Sequence, residues 1–116
     1  MAETAPQVHR ISRSEVRNCA VDLQDALNEN GSPIEVFTGT PIVLEQNSPN
    51  QLTLSNKQVS TGALTINGRS CRAGAAVQFK VNASAATAGS LYTIAVTCGT
   101  NAGQTVHGLV QVEVTA

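Results

Sequence analysis

A chain of 116 residues with 41% hydrophobic residues, 3% aromatics and no tryptophan has material for one domain, with a core built from Val, Ile, Leu and Ala. Only 13% of the residues are charged and the formal net charge is −1, whereas ordinary soluble domains carry roughly 25% charged residues. That balance offers no basic field to nucleic acid, and no apolar run reaches the ~18 residues of a membrane helix.

Residues 1–14 read as a polar N-terminal arm with one proline and no periodicity. The arm lacks the apolar run of a secretory signal, so the expectation is a protein made and kept in the cytoplasm, or one that leaves it by a route needing no signal. Arg10, Arg13 and Arg17, interleaved with Glu15, form the one local bias of charge. From Glu15, "EVRNCAVDLQDAL" supports two readings. Val16, Ala20, Leu23 and Leu27 fit a helical stripe, while Cys19, Val21 and Leu23 alternate as in a strand. Length favours the helix; the β-branched residues and the surrounding strand pattern favour a strand over Val16 to Leu23, which is the expectation adopted. "NENGSP", Asn28 to Pro33, is turn chemistry.

"IEVFTGTPIVLEQ" follows, and Pro41 has no N–H to give to a central ladder, which predicts a bulge or an edge. Asn47 to Asn50, "NSPN", is a further turn, and Asn67-Gly68 is a hairpin signal between "LTLSNKQVSTGALTI" and "RS". In "AAVQFKVNA", Ala75, Val77, Phe79 and Val81 share one face and Gln78 and Lys80 the other. Residues Ser90 to Val114 pattern best: Tyr92, Ile94, Val96 and Cys98, then Val106, Val110, Val112 and Val114, keep one parity on either side of a polar turn. No charged residue occurs between Lys80 and Glu113.

About seven short strands separated by turn signals predict an all-β fold, a small antiparallel immunoglobulin-like β-sandwich over residues 15–116 with an extended N-terminal arm. Strands apolar on one face need a second sheet to cover that face. In "TAGSLYTIAV" a glycine precedes a tyrosine that opens a strand. Tyr92 is therefore either a tyrosine corner, with its hydroxyl bonded back to nearby backbone, or simply the core aromatic of its strand.

Candidate chemistry is thin. Cys19, Cys71 and Cys98 are odd in number and far apart in sequence. They read as reduced, small hydrophobic residues, with an inter-sheet bridge between Cys19 and Cys98 as the alternative. His9 and His107 stand alone, without the close Cys/His spacing of a zinc site. Asp22 and Asp25 are expected to face water or cap a turn. Asn82-Ala83-Ser84 matches a glycosylation sequon that has meaning only in a secreted chain. The glycines of "GALTINGRSCRAG" punctuate hairpins and lead no helix, which excludes a phosphate cradle. The sequence thus predicts no catalytic, cofactor-binding or metal-binding residues.

Three stretches carry a family resemblance. Cys19 to Leu27 forms a "V-x-V-D-x-x-x-x-L" type run leading into "E-x-x-T-G-T-P" at Glu35 to Pro41. A "V-x-T-x-x-L-x-I-N-G" hairpin spans Val59 to Gly68, followed by "A-V-x-F-x-V" at Ala76 to Val81. A "G-x-x-Y-T-I-x-V" strand opens at Gly89 and reaches a valine-rich final strand. In this order of strands and turns, residues ~15 to 116 resemble small tailed-phage virion proteins of the immunoglobulin-like fibre–tail adaptor type. The turn Thr100-Asn101-Ala102-Gly103-Gln104 departs from the "T-x-D-G-R" type frequent in that group.

The resemblance implies a non-enzymatic virion part, assembled in the host cytoplasm as a homo-oligomer in a symmetric assembly. Its expected partners are other virion proteins, the tail or connector and fibre subunits. On that reading Arg10, Arg13 and Arg17 are candidate assembly contacts, and Tyr92 and Cys98 are candidate structural residues. A capsid cement or decoration protein, or a bacterial immunoglobulin-like surface-binding module, are the alternatives.

Overall fold

Residues alternating in and out of a core have no use for a single sheet, and here two sheets close on each other. The computed structural model describes residues 7–46, 51–66 and 68–115. The first six residues of the arm, the Asn47–Asn50 turn and Asn67 lie outside them. In chain order the strands are β1 (Gln7–Ser12), β2 (Val16–Asp22), β3 (Phe37–Glu45), β4 (Thr53–Val59), β5 (Leu64–Ile66), β6 (Arg69–Cys71), β7 (Ala76–Asn82), β8 (Leu91–Thr100) and β9 (Thr105–Thr115). One sheet has the order β1-β9-β8-β3 and the other β2-β7-β4, with β5 and β6 as a separate hairpin. The chain is an all-β sandwich.

The predicted parities hold. Val77, Phe79 and Val81 of β7 are buried against Ile94 and Val96 of β8, Val110, Val112 and Val114 of β9, Val21 of β2 and Val43 of β3, all in one core cluster. The β8–β9 hairpin pairs Leu91 with Glu113 through to Gly99 with Thr105, so the best-patterned stretch of the sequence forms the centre of the larger sheet. Cys19, Cys71 and Cys98 are all buried and unpaired, so no bridge joins Cys19 to Cys98.

The stretch with two periodicities uses both. Cys19 and Val21 point inward from β2, which pairs antiparallel with β7. The chain then makes one 3-10 turn at Gln24–Ala26, and Leu23 and Leu27, four apart, are buried on either side of it. Leu23 lies under β9 at Gly108, where an added Cβ would stand 2.6 Å from its Cδ2. Any side chain at position 108 would require Leu23 to move.

Pro41 sits where a missing N–H costs least. It lies in β3, an edge strand, inside a register shift against β8 between Thr38 and Ile42, with Gly39 at φ 76°. β4, the edge strand of the other sheet, is also bulged between Ser55 and Gln58, with Asn56 at φ 51°. Ile66 and Arg69 pair at the end of the β5–β6 hairpin, with Gly68 at φ 77°.

Part of the predicted arm is a strand. Residues 7–12 form β1, which pairs parallel to β9 from Gln7–Val110 to Ser12–Thr115, so the sandwich is not wholly antiparallel and its first strand lies in the predicted arm. Periodicity was silent because an edge strand of six residues needs little apolar surface. Ile11 is its one fully buried side chain among the described residues, with His9 half-buried.

Candidate functional site

Each sheet has an outer face, and the two differ in chemistry. On β2-β7-β4, register sets Ala20, Gln78 and Gln58 in one row and Asn18, Lys80 and Ser55 in the next, an amide- and hydroxyl-rich surface. On β3-β8-β9, register sets Leu44, Ala95 and Leu109 in one row and Ile42, Thr97 and His107 in the row beside it. Ile42 is 57% exposed, Leu44 53%, Leu91 47% and Leu109 38%, so four of the six large exposed hydrophobics among the described residues lie on this one face. Ala95 is only 8% exposed yet stands outside the core cluster, because the leucines on both sides shade it. The two other exposed hydrophobics, Val16 and Ile34, lie elsewhere.

Charge is scarce on the apolar face. Register places Arg10 opposite Glu113, and the two form an ion pair at 3.4 Å at the rim. His107 faces outward, with Nδ1 3.1 Å from the Thr97 hydroxyl. The three arginines singled out from the sequence do not converge. Arg10 lies on this rim, Arg13 is exposed in the turn after β1, and Arg17 pairs with Glu15 at 3.5 Å at the start of β2. Pairs this exposed contribute little to stability. Their use lies in neutralising charge.

Tyr92 and Cys98 belong to the scaffold behind the face. The Tyr92 ring is buried, and its hydroxyl accepts the Thr87 N–H at 2.8 Å and donates to Gln51 Oε1. This bond back to backbone five residues earlier ties the loop before β8 to its own strand. Cys98 faces the core from β8 and its thiol points to the Thr38 carbonyl at 3.5 Å. Burial pushes its thiol pKa up.

At the opposite end of the sandwich, buried polar groups hold the loops. Glu35 accepts the Asn28 N–H at 2.8 Å and the Thr100 hydroxyl at 2.7 Å, and the Arg72 guanidinium donates to its carbonyl at 2.7 Å. The Thr100 hydroxyl above all, then the Asn28 N–H, holds the Glu35 carboxyl below its ordinary range. Asp22 is buried and caps a turn, the second of the two roles expected of it, and does not face water. One oxygen caps Gln24 N–H at 3.0 Å and accepts the Cys71 thiol at 3.4 Å. Gln24 Nε2 donates to the Ser70 carbonyl at 2.9 Å, and Arg69 clamps Asp25 with two bonds of 2.8 and 2.6 Å. The carboxylates therefore fasten the β5–β6 hairpin to the end of β2.

His9 and His107 lie on opposite faces of their sheet. Among the described residues no three His, Cys, Asp or Glu side chains are grouped to hold a metal ion, and no helix is long and apolar enough to cross a membrane. Asn82 of the sequon accepts the Ser84 N–H at 3.0 Å in a tight turn after β7. The apolar face escaped the sequence reading, although the unbroken Ile42-Val43-Leu44 run in a strand with one core face was a signal for it. No protein-family model, no curated protein and no solved structure matches this chain.

Proposed function

We propose that the protein is a non-enzymatic structural subunit of a tailed-bacteriophage particle, an immunoglobulin-like adaptor that joins fibres to the tail or connector by protein–protein contacts. The observation that carries this reading is the outer face of β3-β8-β9, where Ile42, Leu44, Leu91 and Leu109 are exposed around a neutralised rim. An exposed apolar row, Leu44-Ala95-Leu109 with Ile42 beside it, marks a surface meant to be covered on a small domain. Low overall charge fits a chain that works while packed against neighbours.

Two further features support the immunoglobulin-like part of the proposal. The order β2-β7-β4 facing β9-β8-β3 matches the Greek-key arrangement of such sandwiches when β2, β3, β4, β7, β8 and β9 stand for their strands B to G. The Tyr92 hydroxyl, bonded to backbone just upstream, matches their tyrosine corner. The residue-level resemblance set out for residues ~15 to 116 supplies the phage context.

Particles purified from lysed host cells carrying the gene test the reading. The protein is expected in the particles at fixed stoichiometry, with antibody label at the tail in electron micrographs. Label on the head would replace the adaptor by a capsid cement protein. Recovery only outside particles would overturn a virion role altogether.

A further inference from the structure

We propose that the outer face of β3-β8-β9 seats a second copy of this chain, the two sheets packing face to face about a two-fold axis. The inference rests on the assembly reading above and names the first partner of that surface.

Charge selects the occupant. Among the described residues, the only Lys, Arg, Asp or Glu side chains on the outer face of the larger sheet are Arg10 and Glu113, which cancel each other at 3.4 Å. Two such faces meet without like charges opposed, and a charged partner gains nothing there. The other sheet differs: Lys80 stands at the centre of its outer face, and Asp22, its nearest carboxylate in the rows, is buried and engaged. Copies brought together by that face oppose lysine to lysine.

Edges are blunted as routes to self-pairing. β3 and β4, which share one side of the sandwich, are both bulged, and Arg17 and Asn18 stand exposed on β2 at the other side. Bulges and charges on edge strands discourage strand-to-strand addition. β1, the remaining edge, is six residues long and carries Arg10, and short, charged edge strands discourage the same addition.

Shape is self-complementary. Ala95 makes a dip between Leu44 and Leu109. An axis running between β8 and β9 sets Leu109 of each copy over Ala95 of the other, the isologous arrangement a two-fold requires. Size sets the strength. Four strands about 4.8 Å apart and about eight residues long, at about 3.3 Å each, cover about 500 Å², against about 800 Å² per partner in a standard stable complex. The isolated pair is weak and reversible, and other contacts within an assembly raise its effective concentration.

Sedimentation velocity of the full chain from roughly 10 μM to roughly 1 mM is expected to show a reversible monomer–dimer equilibrium. Leu44→Glu and Leu109→Glu each weaken it by about tenfold or more with an unchanged circular dichroism spectrum, while Lys80→Glu leaves it intact. An equimolar mixture of Leu109→Cys and Ala95→Cys proteins forms the mixed intermolecular disulfide on mild oxidation and a mixture of Lys80→Cys and Ala95→Cys does not, a readout that survives any loss of stability in the glutamate variants. A monomer at every concentration, a dimer indifferent to both leucine changes, or equal cross-linking at positions 109 and 80 overturns the proposal. Incorporation into particles without solution dimers removes the self-packing and leaves the virion role standing. Dimers in a protein that never enters a particle do the reverse.

Discussion

At the scale of single residues, polar side chains do work that the hydrophobic pattern does not announce. The Tyr92 hydroxyl satisfies both the Thr87 N–H and Gln51, so Tyr92→Phe leaves a backbone donor unpaired beside a filled core. That change is expected to cost about 1–3 kcal/mol, read as a lower urea midpoint with an unchanged slope. Glu35 has its carboxyl held below the ordinary value of 4.5 by the Thr100 hydroxyl and the Asn28 N–H. Its pKa is lower folded than unfolded, so its stabilisation is complete above the unfolded value and is lost as pH falls through the folded one. In Glu35→Gln the denaturation midpoint should fall less than in the wild type between about pH 5 and pH 3. An equal fall in both proteins would assign acid sensitivity to other carboxylates. The parity of Tyr92 was legible in the sequence; the role of Glu35 was not, because its partners Asn28 and Thr100 come from separate loops.

At the scale of elements, close approach decides which substitutions are tolerated. Leu23, at the end of β2, occupies the space where β9 has Gly108. Gly108→Ala is expected to destabilise by about 1–3 kcal/mol. In a Leu23→Ala background the same change should cost less, and a double-mutant cycle that returns strict additivity would refute the contact. β1 was read as part of an arm, yet it covers one edge of β9 over Gln7–Val110 to Ser12–Thr115. Deleting residues 1–12 should lower the thermal midpoint by about 5 °C or more and raise light scattering, since a ladder of β9 is then left open. Alternation cannot reveal such a strand when one side chain, Ile11, supplies its fully buried surface.

At the scale of the whole molecule, one core joins both sheets and the hairpin. Cys19 lies in the smaller sheet, Cys71 in the β5–β6 hairpin and Cys98 in the larger sheet, all buried. Burial pushes the Cys19 thiol up to about 11, and burial reinforced by the Asp22 charge pushes Cys71 up to about 12. Thiolate is the reacting form, so a thiol reagent at neutral pH should label none of the three in the native protein and all three in denaturant. Equal rates at the three sites would show that the layers open together. A faster Cys71 would make the hairpin a separate unit of local unfolding. Loops and thiols aside, the molecule's outer sheet faces are divided between an amide-rich one and an apolar one.

What the sequence determined by itself was the set of inward faces: period-two alternation in β7, β8 and β9, turn chemistry at Gly68, and the tolerance of Pro41 at a bulged edge. These are local, because strand parity and backbone dihedrals are written within a few neighbouring residues. Only the tertiary structure decided that Leu44, Ala95 and Leu109 share a row, that Arg10 meets Glu113, and that β1 closes the sheet beside the last strand. Those juxtapositions depend on strand order and register between segments far apart in the chain. One-residue slips would turn every one of those side chains to the other face.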